Sequence, residues 1–286
     1  MNIFKNIFGK KKDTLNWQQL TELFAGSISK ALNTKTTIEW GPDAAQTRIV
    51  STSPGGVVMS SFVGNMVTRC IDDPSPLNRN AVIEEHINTL AADMDRADNI
   101  QSLEKAHILP VIKSLQWLDT VRKQYESAGG TAAEAAVRFA LQPLGDDLIV
   151  VYVNDTPGGM SYLSPAEISE AGFPDAAGLH QAALQNLRAK LKEAVFEGGG
   201  GRYAIRLDNN YDASLVLLLD EILPSIRING NPVVALPSRD ELMICGDQDT
   251  ESVESLQDIA GQIYAVNAYT ISKKLYAWDQ GTLKSL

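Results

Sequence analysis

The corner Pro237-Ser238-Arg239-Asp240 holds the most specific pairing of chemical groups in the sequence. A guanidinium on a proline-stiffened corner has two uses. It closes a structural bridge to Asp208 or Asp240, or it grips an anionic ligand with two parallel N–H donors. The nearby loop Asp208-Asn209-Asn210-Tyr211-Asp212 puts oxygen donors at the first, third and fifth positions of a calcium-type loop. Its sixth position is Ala213, where the sharp turn needs glycine, and its twelfth is Leu219, where a bidentate glutamate is needed. Asp247-Gln248-Asp249-Thr250-Glu251 repeats the spacing, with Ser252 and Asp258 in those two places. Turn and helix N-cap therefore describe the two segments better than calcium sites do. A looser set, Asp208, Asp212 and Asp240, falls at expected strand ends and would hold Mg²⁺ or Mn²⁺ if the carboxylates converged.

Other familiar chemistries lack members. His86, His107 and His180 have no partner four residues on, so there is no zinc-protease helix, and no Gly-x-Ser-x-Gly elbow occurs. His180 lies at the start of a helix, where an exposed or capping role is expected. Gly198–Gly201 has a helix expected before it, a strand after it, and no Lys-Ser/Thr. That order is the reverse of a phosphate loop, and the run reads as a helix stop with a flexible link. Cys70 and Cys245, both flanked by apolar residues, read as small buried hydrophobes of a reducing cytosol.

Elements must position these groups. An amphipathic helix runs from the N-cap Thr14 through Leu20, Phe24 and Ile28 to Leu32. Strands Thr36–Trp40, Arg48–Ser51 and Val57–Ser60 follow, then helices Phe62–Ile71 and Ala81–Asp95. Ile108–Lys113 is a short apolar run. Thr131 with Glu134 makes a capping box, and Leu148–Val153 reads as a central strand covered on both faces. The long helix is expected over Gly178–Glu197. Strands are expected at Tyr203–Leu207, Ser214–Leu219, Ser225–Ile228, Val233–Leu236 and Glu241–Cys245, with turns at Asp208–Asn210 and Asn229–Asn231. A last helix spans about Glu251 to Tyr276. Pro-Gly-Gly turns stand at Pro54–Gly56 and Pro157–Gly159; ordinary turn chemistry accounts for both without an internal duplication.

Helices and meanders in blocks predict an α+β fold with mainly antiparallel sheets flanked by helices. Two subdomains are expected, 13–130 and 131–286, after a basic amphipathic segment 1–12. In that segment Ile3, Phe4, Ile7 and Phe8 form a stripe among Lys5 and Lys10–Lys12. It serves either as a weak peripheral membrane or partner contact, or as a terminal helix packed on the body. No apolar run is long enough to span a membrane.

The 286 residues carry 25 basic and 35 acidic side chains, net −10. Residues 1–143 balance at 15 and 15, so the excess sits in 144–286, with 10 and 20. Eleven acids against Arg227 and Arg239 lie between Asp208 and Asp258. Such a half repels phosphate backbones, which disfavours nucleic acid, and offers a basic protein partner an acidic surface.

From Asp147 onward several short motifs recur in order: Asp147-Leu148 into Val151-Tyr152-Val153, Ala183-x-x-Asn186-Leu187, Tyr211-x-Ala213-Ser214-Leu215, Pro237-Ser238-Arg239-Asp240, Ile271-Ser272 and Leu275-Tyr276. With Ile108-Leu109-Pro110-Val111-Ile112-Lys113 upstream, residues 105–280 resemble the YtpQ-like family of uncharacterised bacterial proteins. The resemblance implies a cytoplasmic α+β protein and transfers no catalytic residue or cofactor. It marks Asn186, Tyr211, Ser214, Arg239 and Asp240 as candidate ligand contacts. Two functions follow as expectations. One is a non-enzymatic binding or adaptor module with an acidic C-terminal surface. The other is a metal-assisted hydrolase or phosphate-handling enzyme with Arg239 as its anion hook.

Overall fold

The computed structural model describes residues 15–54, 56, 58–98, 103–156 and 159–286. The segment 1–12 with the helix expected in it, the expected N-cap Thr14, Gly55, Pro157 and Gly158 of the two turns, and Val57 of the expected strand lie outside the described residues. The chain divides into two compact units, 1–94 and 95–286.

The first unit contains α1 (Trp17–Leu32), β1 (Lys35–Glu39), β2 (Arg48–Thr52), β3 (Val58–Phe62) and α2 (Gly64–Asp72), and the helix α3 (Pro76–Asp98) begins in it. Asn16 and Gln19 start α1 with a reciprocal capping box, and Asn33 ends it in the left-handed region, φ 51°. The strands form an antiparallel meander, β1-β2-β3. Its core gathers Leu20, Phe24 and Ile28 of α1, Ile49 of β2, Met66, Val67 and Cys70 of α2, and Val82, Leu90 and Met94 of α3.

The second unit continues with β4 (Ile108–Ser114), α4 (Leu115–Ser127), α5 (Ala132–Ala136), β5 (Leu141–Pro143), β6 (Leu148–Thr156), β7 (Gly159–Tyr162), α6 (Pro165–Glu170) and α7 (Ala176–Lys190). There follow β8 (Val195–Gly199), β9 (Arg202–Arg206), α8 (Leu219–Ile222), β10 (Pro232–Ala235), β11 (Leu242–Gly246), α9 (Thr250–Val266), β12 (Leu275–Asp279) and β13 (Thr282–Ser285). One sheet centres on β6, which pairs with β4 along seven residues and with β5 and β7 on its other side. As its unbroken apolar run required, Leu148–Val153 is buried throughout. The other sheet has the order β13-β12-β10-β11-β9-β8. Successive side chains alternate across it. Val234, Leu242, Ile244 and Tyr276 join the main core, while Val233, Ala235, Met243, Cys245 and Leu275 face Leu256 and Ala260 of α9. Among the described residues the paired strands all run antiparallel, with one isolated parallel bridge between Gly145 and Leu283, so the architecture is α+β as expected.

Several boundaries move. The division falls at 94/95, not at 130/131. The register Ile108↔Asn154 to Ser114↔Leu148 makes β4 an integral strand of the C-terminal sheet. The long helix stops at Lys190 and gives way to β8, because Val195 and Phe196 favour strand and the glycines turn it back. Gly198, Gly200 and Gly201 all adopt positive φ, so the glycine run ends β8 and turns into β9 instead of stopping a helix. Ser214–Leu219 is not a strand. It is a 3₁₀ turn over Ala213–Leu218 leading into α8, and its unbroken apolarity reflects burial on all sides. Ser225–Ile228 is likewise no strand; a 3₁₀ turn over Leu223–Ser225 leads into it. The last helix ends at Val266, and the stretch around Tyr276 is strand β12, where aromatic side chains pack across the sheet. Asp208–Asn210 and Asn229–Asn231 are turns, but neither joins two paired strands.

Candidate functional site

The loop after β9 and the corner before β11 meet. Asp212, completely buried, accepts the amides of Leu207 (3.0 Å) and Asp208 (3.2 Å) on its two carboxylate oxygens. Burial raises its pKa, and those amides oppose the rise. Asp208 Oδ1 accepts the amides of Asn210 and Tyr211, each at 3.0 Å, and Oδ2 takes the Lys190 ammonium at 3.0 Å. Asn209 passes through φ 62° to close this loop, which asparagine tolerates. The Asx turns expected from the sequence thus exist, and they consume the carboxylates.

The corner is fixed from two sides. Arg239 N–H donates to Tyr269 C=O (3.1 Å), and Arg239 C=O accepts from Ala213 N–H (3.0 Å). Asp240 accepts the Ser238 hydroxyl (2.5 Å) and the Asn267 side-chain amide (3.2 Å). Its backbone carbonyl takes Arg206 Nη1 at 2.9 Å, and that guanidinium also pairs with Glu241 at 2.6 Å. Asp208 and Asp240, the two partners expected for Arg239, are therefore engaged elsewhere. The Arg239 guanidinium instead lies over the Tyr269 ring, 3.7 Å from its centroid. Beside it, Tyr211 is fully buried and its hydroxyl has no hydrogen-bond partner among the described residues. Burial first, then the charges of Asp155 and Asp208, push its pKa up, while Arg239 pulls it down. Lys190 sits 5.3 Å from the Tyr211 ring centroid. Tyr211, Arg239 and Asp240 thus belong to one corner, joined by Lys190, Asp155, Asn267 and Tyr269, which the sequence reading did not single out. Asp155 stands in the Pro-Gly-Gly turn segment; Lys190, Asn267 and Tyr269 carried no sequence signal.

Two candidates are structural. Asn186 donates its side-chain amide to the carbonyls of Lys105 and Ile108, both at 2.8 Å, and ties the entry of β4 to α7. Ser214 is buried within the 3₁₀ turn. The metal set is corrected as well. Among the described residues no three His, Cys, Asp or Glu side chains are grouped to hold a metal ion, and Asp208, Asp212 and Asp240 each serve a different neighbour.

The acidic stretch is not one charged face. Besides these three, Asp220 accepts the Trp278 indole N–H (2.7 Å), Arg188 pairs with Glu221 (2.7 Å), and Arg206 pairs with Glu241. Asp247 binds Asn231 (2.8 Å), and Asp249 caps α9 by accepting from Ser252 N–H, as the N-cap reading expected. Glu251, Glu254 and Asp258 remain exposed along α9.

A second feature is a cavity of about 530 Å³ in the C-terminal unit. Tyr152 forms part of its wall, and its hydroxyl hydrogen-bonds His180 Nδ1 at 3.0 Å; the Gln142 amide nitrogen reaches the same atom at 2.8 Å. An amide N–H can only donate, so this arrangement makes Nδ1 an acceptor and places the ring proton on Nε2. Burial lowers the His180 pKa and favours that neutral imidazole. The expected exposed or capping role is replaced by this network; the cap of α7 is Asp175. Both cysteines are free and buried, and burial, its leading cause, pushes the Cys245 thiol up to about 11. Among the described residues no helix is long and apolar enough to cross a membrane. No family model, curated protein or solved structure matches the chain.

Proposed function

We propose that the chain is a non-enzymatic binding module whose recognition point is the Arg239 corner, and that it takes an anionic group. The observation that carries this reading is the Arg239 guanidinium on Tyr269, without a carboxylate partner among the described residues although Asp208 and Asp240 belong to the same corner. A guanidinium over an aromatic face can still donate its N–H groups to an anion, and the backbone bonds on both sides of Arg239 hold the corner in place before any ligand arrives. Two motifs of the YtpQ-like resemblance, around Tyr211 and Arg239, join through the Ala213–Arg239 hydrogen bond, which supports assigning them one role. A titration of the full chain with inorganic phosphate and with acetate, at constant ionic strength, tests it by the backbone amide NMR resonances of Ala213 and of residues 238–240, which remain in the variants. A saturable shift, lost in R239A and weakened in R239K, is expected; no saturable shift with either anion defeats the reading.

A second reading rests on Glu251, Glu254 and Asp258, which stand exposed on successive turns of α9 and would receive a basic protein segment. It requires an interaction weakened by salt and by charge reversal at these three positions, with R239A having no effect.

A further inference from the structure

The cavity among α4, α5, α6 and α7 has apolar walls, built by Phe139, Leu141, Ile168, Phe173 and Leu179 among others. Those walls rest on fixed helix starts. Thr131 and Glu134 cap α5 reciprocally, Ser164 and Glu167 do the same for α6, and Asp175 caps α7 through Gly178 N–H at 2.7 Å. A concave apolar space of this volume with a few polar groups has the make-up of a small-molecule site.

Arg122 supplies the discriminating observation. It projects from α4 into the lining, and its Nε is completely buried with no hydrogen-bond partner among the described residues. Burial of Nε anchors the side chain in the wall, and among the described residues Arg122 is the only cation of the lining. Among the described residues Asp175 is the only carboxylate in the lining, and its Oδ1 is committed to the α7 cap. Gln142 and Tyr152, also in the lining, turn toward His180.

We propose that this cavity binds a small amphipathic carboxylate, with the apolar body between Phe139, Ile168, Phe173 and Leu179 and the carboxylate on Arg122. An anion accepting from the two Nη groups would form a bidentate pair that guanidinium geometry favours. A neutral head would forgo that ion pair, and a cationic head would be repelled by the guanidinium. The site is separate from the Arg239 corner and does not rest on the function proposed above.

Calorimetric titration of the full chain with sodium decanoate, 1-decanol and decyltrimethylammonium, each below its micellar range, tests the assignment. Decanoate is expected to bind, and about tenfold or more tighter than either of the other two. R122A should weaken decanoate by a similar factor while leaving decanol unchanged, and A176W, at the exposed start of α7, should block all three. Trp117, packed 5.4 Å from Phe139, gives a fluorescence readout of occupancy. Equal affinity for the three heads, or R122A without effect, overturns the anion assignment. Failure of every probe to bind the unmodified chain overturns the site. If R122A fails to fold, R122Q, which keeps the stem and a donor, takes its place with the same expectations. R239A must leave decanoate binding unchanged, which keeps the two sites distinguishable.

Discussion

Arg239 and Asp208 stand close in sequence chemistry and far apart in energetic role. Arg239 makes a cation–π stack and no ion pair among the described residues, so R239A should cost only about 0.5–1 kcal/mol. Asp208 satisfies two loop amides and Lys190, so D208A strands those groups and should cost about 1–3 kcal/mol. Urea denaturation of both variants checks the contrast, and equal losses would show that Arg239 is structural. His180 makes a pH prediction. Its folded pKa lies below the ordinary 6.5, so the unfolded chain binds the extra proton first as pH falls. The stability that His180 contributes is therefore complete above about 6.5 and lost as pH drops below it. Chemical denaturation across that window should show a falling stability that is shallower in H180Q; unchanged slopes would mean the imidazole is not held neutral.

At the scale of elements, the C-terminal unit depends on close backbone approaches. Gly145 sits at φ 115° in an isolated bridge to Leu283 of β13, and a Cβ there would lie 1.8 Å from the Leu283 carbonyl oxygen. G145A therefore demands both a disfavoured backbone and a displaced strand. It should lower stability by more than about 1 kcal/mol, beyond the ordinary gain of a compatible Gly→Ala change. Hydrogen exchange at β12 and β13 is expected to rise with it; an unchanged exchange pattern would mean that the bridge does not hold β13 in place. The capped start of α5 was legible because capping is local: the acceptor and the amide it serves are three residues apart. The same spacing caps α6 and α7 through Ser164 and Asp175, which the sequence reading did not name. The end of α7 was not. Helical spacing continues past Lys190, and only the pairing of β8 with β9 draws Val195 and Phe196 into a strand.

For the whole molecule, the hydrophobic cores of the two units share no residue. One is built from residues between Leu15 and Met94, the other from residues between Leu103 and Leu283. Residues 95–286 expressed alone should unfold cooperatively, as a unit with its own core does. A molten, non-cooperative transition would show that the first unit is needed. The amino-acid sequence by itself determined the α+β class, the central strand Leu148–Val153, the capping box of α5 and the N-cap segment of α9. Each of these depends on periodicity or on groups a few residues apart. Tertiary structure alone decided the unit boundary, because β4 finds its partner in β6 some forty residues on, by register and not by composition. It also decided what the charges do. Asp208, Asp212 and Asp240 look alike as letters, yet folding gives one to Lys190, one to loop amides and one to Ser238 and Asn267. Arg239 is thereby left on Tyr269 with no ion pair among the described residues, since an ion pair is a contact in space and Asp208 and Asp240 already have other donors.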